Sequence, residues 1–278
     1  MPSVSELQID KIWRSGMINP KAAKDDLARR MFSHGFRCLG RVYFFVFCRV
    51  QIIYLAGLPQ ERAMILASNH ISHFDPLLLG TFFARYVDWM AMEELFVPPL
   101  ARSILDWLCA FPVTRNGRDR GRAMRIALQR LQSRRTVGVF PEGGIRAGGS
   151  SVLEGAPMWP GAAALSVLSN KPIVPCVIFG SDRLYRWQNW LSLRRIPIWI
   201  AVGAPIYPTS QGSKDRARKA VGESLAQAFL NLKEVACRCF YLSPSDLPRS
   251  PQARKREDYL PAIVLPRRQQ AGENRRVF

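Results

Sequence analysis

Apolar and polar positions alternate in two different rhythms along most of this chain. Short β-rich runs are read at Val50–Ala56, Ala63–Ser68, Val87–Met92, Thr136–Phe140, Ile173–Phe179 and Ile196–Gly203. Between them the apolar spacing is helical, at Pro76–Arg85, Leu100–Leu108, Gly117–Ser133, Gly161–Ser169 and Lys214–Phe240. Strands that alternate with helices predict a layered α/β fold, with a largely parallel central sheet flanked by helices. The chain shows no internal repeat.

The stretch from Phe32 to Val50 has its own pattern. At helical spacing Phe32, Phe36, Leu39, Tyr43, Val46, Phe47 and Val50 fall on one side, and Arg37, Arg41 and Arg49 on the other. Such a helix suits a membrane interface. It equally suits a helix packed on a core with a solvated arginine face, and the pattern does not choose between them. Phe44 and Phe45 lie off the main apolar side, which leans toward lipid. The arginines between Arg37 and Leu58 argue against a conventional transmembrane span, which needs about 20 mostly apolar residues. Met1 to Lys11 carries Glu6 and Asp10 and has no apolar stretch, so no secretory signal is expected there.

Composition narrows the field without deciding it. Apolar residues make up 48% of the 278, enough for a core. Lys and Arg number 40 against 21 Asp and Glu, a net charge of +19, which calls for an anionic partner: nucleic acid, an anionic lipid surface or a phosphorylated substrate. The six cysteines stand mostly singly in apolar runs and form no C-x-x-C motif, so they are expected to be reduced core thiols in a cytoplasmic setting. From Ser243 onward five prolines and the clusters Arg254–Lys255–Arg256, Arg267–Arg268 and Arg275–Arg276 predict a loop-rich basic tail. Next to anionic lipid each such charge contributes ~1 kcal/mol, and the same tail could serve solubility alone.

Candidate chemistry sits where predicted strands end. After Ala63–Ser68 comes Asn69-His70-Ile71-Ser72-His73-Phe74-Asp75-Pro76. Asp75 and Pro76 read as N-cap and first helical residue. The carboxyl edge of an α/β sheet is also where ligands bind. An imidazole that moves protons needs a carboxylate on its other nitrogen, and a short loop allows His70 and Asp75 to meet. A structural histidine beside a helix cap explains the same residues equally well. A second block, Val139-Phe140-Pro141-Glu142-Gly143-Gly144-Ile145-Arg146, runs from a strand into a glycine turn followed by an arginine suited to phosphate. Alone it would be an ordinary turn. Ser72 raises the thought of a Ser-His-Asp hydrolase, but no G-x-S-x-G elbow is present.

Together these blocks resemble the signature of the glycerophospholipid acyltransferase family, whose best-known member is 1-acylglycerol-3-phosphate acyltransferase. Asn69, His70, Ser72 and Asp75 match its N-H-x-S-x-x-D block, and Phe140 to Gly143 match the start of F-P-E-G-T-R-S. Gly144 and Ile145 replace the usual Thr and Arg, and Arg146 follows one place late. Phe111-Pro112-Val113-Thr114-Arg115 resembles the block that ends in a phosphate-binding arginine, and Ile173 to Val177 the proline-containing apolar strand. The four occur in family order across residues 69–177.

The resemblance implies a glycerol-3-phosphate acyltransferase-like fold, to which the Phe32–Val50 pattern adds an N-terminal amphipathic membrane helix. The chain is thus expected to divide into residues 1–49 as a helical membrane-associating segment, 50–242 as the acyltransferase domain and 243–278 as the basic Pro-rich tail. His70, oriented by Asp75, would take the proton from an acceptor hydroxyl that attacks a thioester. Arg115, Glu142, Gly143, Gly144 and Arg146 would hold the substrate phosphate. Acyl-CoA or acyl-carrier protein would be co-substrate, with no metal and no other cofactor. Lysophosphatidic acid and anionic membrane lipids would be partners, at the cytoplasmic face of a membrane or the stromal side of a plastid membrane. Other lyso-lipids remain rival acceptors. A nucleic-acid-binding protein fits the charge but leaves His70, Asp75 and the Phe140–Gly143 block unexplained, so no nucleic acid is expected. A non-catalytic membrane scaffold also stays open, because the second block is altered.

Overall fold

Seven strands assemble into one sheet in the order β1–β7–β6–β2–β5–β3–β4 in the computed structural model, which describes residues 20–107, 110–113, 120–186, 195–209, 213–250 and 252–253. The strands are β1 (Cys48–Tyr54), β2 (Met64–Ser68), β3 (Val87–Met92), β4 (Phe111–Val113), β5 (Thr136–Val139), β6 (Ile173–Phe179) and β7 (Ile196–Val202). Strands β6, β2, β5, β3 and β4 all run parallel. β7 is antiparallel to β6, and β1 is parallel to β7. The expected parallel sheet is therefore present, with a reversed pair at one edge. All seven residues of β6 are buried, as its unbroken apolar run requires of a strand covered on both faces.

Alternation along β2 divides the core. Ile65 and Ala67 join one cluster, with Leu131 of α4 (Arg120–Gln132), Leu165 of α5 (Gly161–Ser169) and Phe229 of α6 (Lys214–Phe240). Met64 and Leu66 join the other, with Phe44 of α1 (Pro20–Phe47) and Leu78 and Leu79 of α2 (Asp75–Phe82). A further helix, α3 (Pro99–Trp107), lies between β3 and β4 in the chain. In α6 the stripe Val221, Leu225, Phe229, Leu232 and Ala236 recurs every three or four residues and is buried throughout.

Helix α1 departs from its sequence pattern in an informative way. Its expected apolar side faces outward at Leu39 (68% exposed) and Val46 (55%). Phe44, read as leaning toward lipid, is buried, and its ring lies 6.1 Å from that of Phe82. Arg37 does not join a solvated face. Its guanidinium donates to the carbonyls of Thr81 and Phe83 and lies 4.8 Å from the centre of the Tyr86 ring. These carbonyls end α2, where a cation is favoured. Among the described residues no helix is long and apolar enough to cross a membrane.

Three other expectations need correction. Asp75 is the first residue of α2 rather than its N-cap; Phe74 holds the cap position and makes no side-chain bond there. Of the five described cysteines only Cys48 and Cys176 are buried, each thiol pushed up to about 12 by burial, while Cys38 and Cys239 are exposed. The tail does not begin as loose chain. Ser243 and Asp246 form a capping box, and Leu247 packs against the core. The basic clusters from residue 254 onward lie outside the described residues.

Candidate active site

The carboxyl ends of β2, β5 and β6 meet at one edge of the sheet, and His70 lies where they converge. Asn69 fixes the exit from β2. Its amide donates to the Ile178 carbonyl (3.0 Å) and accepts from the Ile178 N–H (2.8 Å), carrying the pairing with β6 one residue past the end of β2. The chain then turns, and α2 brings Asp75 back under the loop. Oδ2 of Asp75 lies 2.9 Å from Nδ1 of His70 and accepts from the N–H groups of Ile71 (2.7 Å) and Ser72 (2.8 Å). Oδ1 accepts from the hydroxyl of Ser181 (2.5 Å). This carboxylate is wholly buried. Such burial is tolerable because the charge is met by several donors.

His70 is held from every side. Its N–H donates to Oε2 of Glu142 (2.6 Å), and its carbonyl accepts from the N–H of Arg146 (2.8 Å). Its ring stacks on Phe140 at 4.1 Å, and Phe140 stacks on Trp89 at 4.9 Å. Trp89 has room because its partner on β5 is Gly138, where a Cβ would come 2.5 Å from the indole. With Nδ1 bound to a buried carboxylate, the N–H tautomer is set at Nδ1, and Nε2 is the ring's remaining polar atom. The side chain is 15% exposed and opens on a cavity of about 2770 Å³ whose walls include Trp89, Phe111, Phe140, Arg146 and Trp159. An imidazole so placed can accept a proton at Nε2 while Asp75 meets the charge that forms.

Other candidate residues fall around this pair with different roles. Glu142 turns away from the cavity. Besides the His70 N–H, its carboxylate accepts from the Ser151 hydroxyl (2.7 Å) and the Val152 N–H (2.9 Å), so it ties three loops together. Burial pushes Glu142 above the usual carboxylate range, and bonds from Ser151, Val152 and His70 oppose that shift. Gly143, Gly144 and Arg146 line the cavity, with the Arg146 side chain exposed. Arg115 lies outside the described residues; β4, which leads to it, lines the same cavity at Phe111 to Val113. His73 is held by Tyr185, whose hydroxyl accepts from the His73 N–H (2.9 Å). Its Nδ1 pairs with the Tyr185 hydroxyl (2.5 Å), and its value is lowered by burial and by nearby His70.

Sequence reasoning missed Ser181 and Ser151, which complete the two carboxylates. Neither stands at a spacing that points to His70. It also missed the aromatic stack, since Trp89 reads as an ordinary strand residue.

Residues 49–179 match the acyltransferase family's model, from β1 to the end of β6. The match contains His70, Asp75, Arg115 and Glu142 to Arg146. A stretch of 132 residues, 47% of this chain, is 26% identical to the 1-acyl-sn-glycerol-3-phosphate acyltransferase of Bacillus subtilis (strain 168) and spans 63% of that relative's length. The 1-acyl-sn-glycerophosphate acyltransferase of Thermotoga maritima has the same fold. Its crystal structure superposes with a TM-score of 0.55, at 24% identity, over 80% of this chain and 86% of that one. The fold extends beyond the matched stretch, because β7 and α6 complete its sheet and one helical layer.

Proposed function

We propose that the protein is an O-acyltransferase that moves a fatty acyl group from acyl-CoA or acyl-carrier protein to the sn-2 hydroxyl of 1-acylglycerol-3-phosphate, forming phosphatidic acid. The observation that carries this reading is the His70–Asp75 pair, with Nδ1 spoken for and the ring opening on a large cavity. The names of the two relatives support this choice of acceptor.

The chemistry follows from the geometry. Nε2 of His70 takes the proton of the acceptor hydroxyl as its oxygen bonds to the thioester carbonyl carbon. The tetrahedral species collapses, the carbon–sulfur bond breaks, and the imidazolium returns the proton to the departing thiolate. A thioester is already activated, so positioning and a base suffice; base catalysis of this kind is worth ~10²–10⁴-fold. Arg146 and Arg115 hold the acceptor phosphate, aided by the backbone of Gly143 and Gly144. Glu142 acts one step back, by fixing the backbone of His70. The apolar walls at Trp89, Phe111 and Phe140 suit an acyl chain.

The protein works at the cytoplasmic face of a membrane in this reading. The outward residues of α1, Leu39, Val42, Phe45 and Val46, enter the interface, and the basic surface draws anionic lipid.

Purified protein in detergent, offered lysophosphatidic acid with each donor, should form phosphatidic acid, and His70→Ala should lose at least ~10²-fold in rate. Robust transfer to a different lyso-lipid alone would move the acceptor; full activity in His70→Ala would end the reading. Val46→Glu should reduce sedimentation with anionic liposomes while leaving turnover on detergent-dispersed substrate intact. Undiminished sedimentation would remove α1 from the interface.

A further inference from the structure

We propose that Ser181 is a positioning residue of the reaction, setting the Asp75 carboxylate and through it the His70 ring. The proposal rests on the acyl-transfer reading above. Ser181 lies outside the stretch matched by the family, two residues past its end.

The argument begins at the carboxylate. Three donors converge on Oδ2 of Asp75: the His70 ring and the N–H groups of Ile71 and Ser72. All belong to one short loop, so they fix one oxygen and leave the carboxylate to swing about it. The Ser181 hydroxyl, arriving from the turn after β6 at 2.5 Å, holds Oδ1 and fixes the plane. Ser181 and Asp75 are both completely buried, so water does not replace a lost hydroxyl easily. Ser181 does not line the cavity, and its proton is directed at a carboxylate. It therefore acts through Asp75 and not as a nucleophile.

The turn that presents Ser181 is fastened on several sides. Gly180 has φ +85°, and a Cβ there would lie 2.3 Å from the Pro197 carbonyl oxygen, so only glycine allows this close passage beside β7. The next residue, Asp182, is fully buried, and its Oδ2 accepts from the Arg249 N–H (3.0 Å). Arg183 pairs with Asp246 at 2.7 Å and lies 5.4 Å from the centre of the Trp199 ring. Segment 243–250, which reads in sequence as the start of a tail, thus braces the turn that aims Ser181. The arrangement extends the His70–Asp75 pair to a third, buried group drawn from a distant part of the chain.

Kinetics of the full-length protein in detergent, with lysophosphatidic acid and a saturating acyl thioester, test this. Ser181→Ala should lower kcat about 10-fold and leave the KM for the acceptor within about 2-fold, since no substrate contact is lost. In an Asp75→Asn background the same substitution should cost less than about 2-fold, because a residue acting through Asp75 has nothing further to act on. Equal losses in both backgrounds would mark a general structural effect and overturn the proposal, as would an unchanged kcat. Should Ser181→Ala fail to fold, Ser181→Cys, nearly isosteric and a weak donor, takes its place with the same expected loss; wild-type kcat in that variant overturns the proposal. His70→Ala run alongside separates the two readings. Activity that survives it removes the acyl-transfer reading. Activity lost there but untouched at Ser181 removes only this one.

Discussion

Two buried aspartates sit at opposite edges of the same sheet. Asp88, at the amino edge on β3, is 2% exposed and faces Arg135 side-on, with Nη2 to Oδ1 and Nε to Oδ2 both 2.6 Å; Arg130 lies 3.8 Å away. Asp75, at the carboxyl edge, has no guanidinium partner among the described residues. Its partners are two backbone N–H groups, a serine hydroxyl and an imidazole. Burial pushes Asp88 upward and outweighs the opposing pull of Arg135 and Arg130. The difference lies in how charge is balanced. Asp88 is matched by cations that never leave, so it pins β3 to the chain entering β5. Asp75 is matched by a full positive charge only when His70 is protonated. Asp75 is met by neutral donors and one imidazole, whereas Asp88 is met by two permanent cations that offset only part of its burial.

The largest effect expected from breaking this contrast is at Asp75. Asp75→Asn should lower kcat by ~10²–10⁴-fold in an acyl-transfer assay while the protein stays folded by circular dichroism. Next comes Glu142→Gln. One amide oxygen can still accept from Ser151 and Val152, but the NH₂ would then face the His70 N–H, donor against donor. A loss in kcat of about 10-fold with a lower Tm is expected, since a buried unpaired group costs ~1–3 kcal/mol. Asp88→Asn should spare kcat to within about 3-fold and lower stability by about 1–3 kcal/mol, the partly exposed arginines softening the loss. Equal losses of kcat at Asp75 and Asp88 would erase the contrast.

The smallest effect is read from pH. Burial alone would raise Asp246, but bonds from Ser243 and Arg183 outweigh it and hold its carboxyl below the usual range. A depressed acid contributes stability that is complete above its unfolded value and lost as pH falls through its folded one. Asp246→Asn should therefore lower Tm by about 1–2 °C near neutral pH, a partly exposed pair being weak, and the gap should close as the pH falls below the ordinary aspartate range. Asp88 and Glu142 have the opposite sign. Their values are raised, so stability declines as pH climbs from the ordinary carboxylate range through their folded values. A gap at Asp246 that widens in acid would contradict its pairing with Ser243 and Arg183.

Sequence legibility followed the range of the forces involved. The alternation of periods identified β2, β6 and the helix Lys214–Phe240 almost to the residue, because burial on one or both faces imposes period and length. His70 and Asp75 stand five apart, so a loop and one helical turn account for their meeting. Ser181 is 106 residues from Asp75, and nothing local to either reveals the bond. The Asp75 cap was misread because the carboxylate does serve backbone N–H groups, but those of the loop before it and not of the helix after it. The outward apolar side of α1 shows a limit of another kind. Amphipathic period gives the two faces of a helix, and only packing tells which one meets the core.

Gly138 carries one more consequence. The Trp89 indole occupies the space where any other residue would place its first carbon, and the Phe140 and His70 rings follow in the same stack. The height of the His70 ring above the sheet is thus shimmed by a missing methyl group, at a position outside the cavity lining. Selection on turnover alone can reach the site from inside the sheet, and a laboratory library confined to the cavity walls would never sample that adjustment.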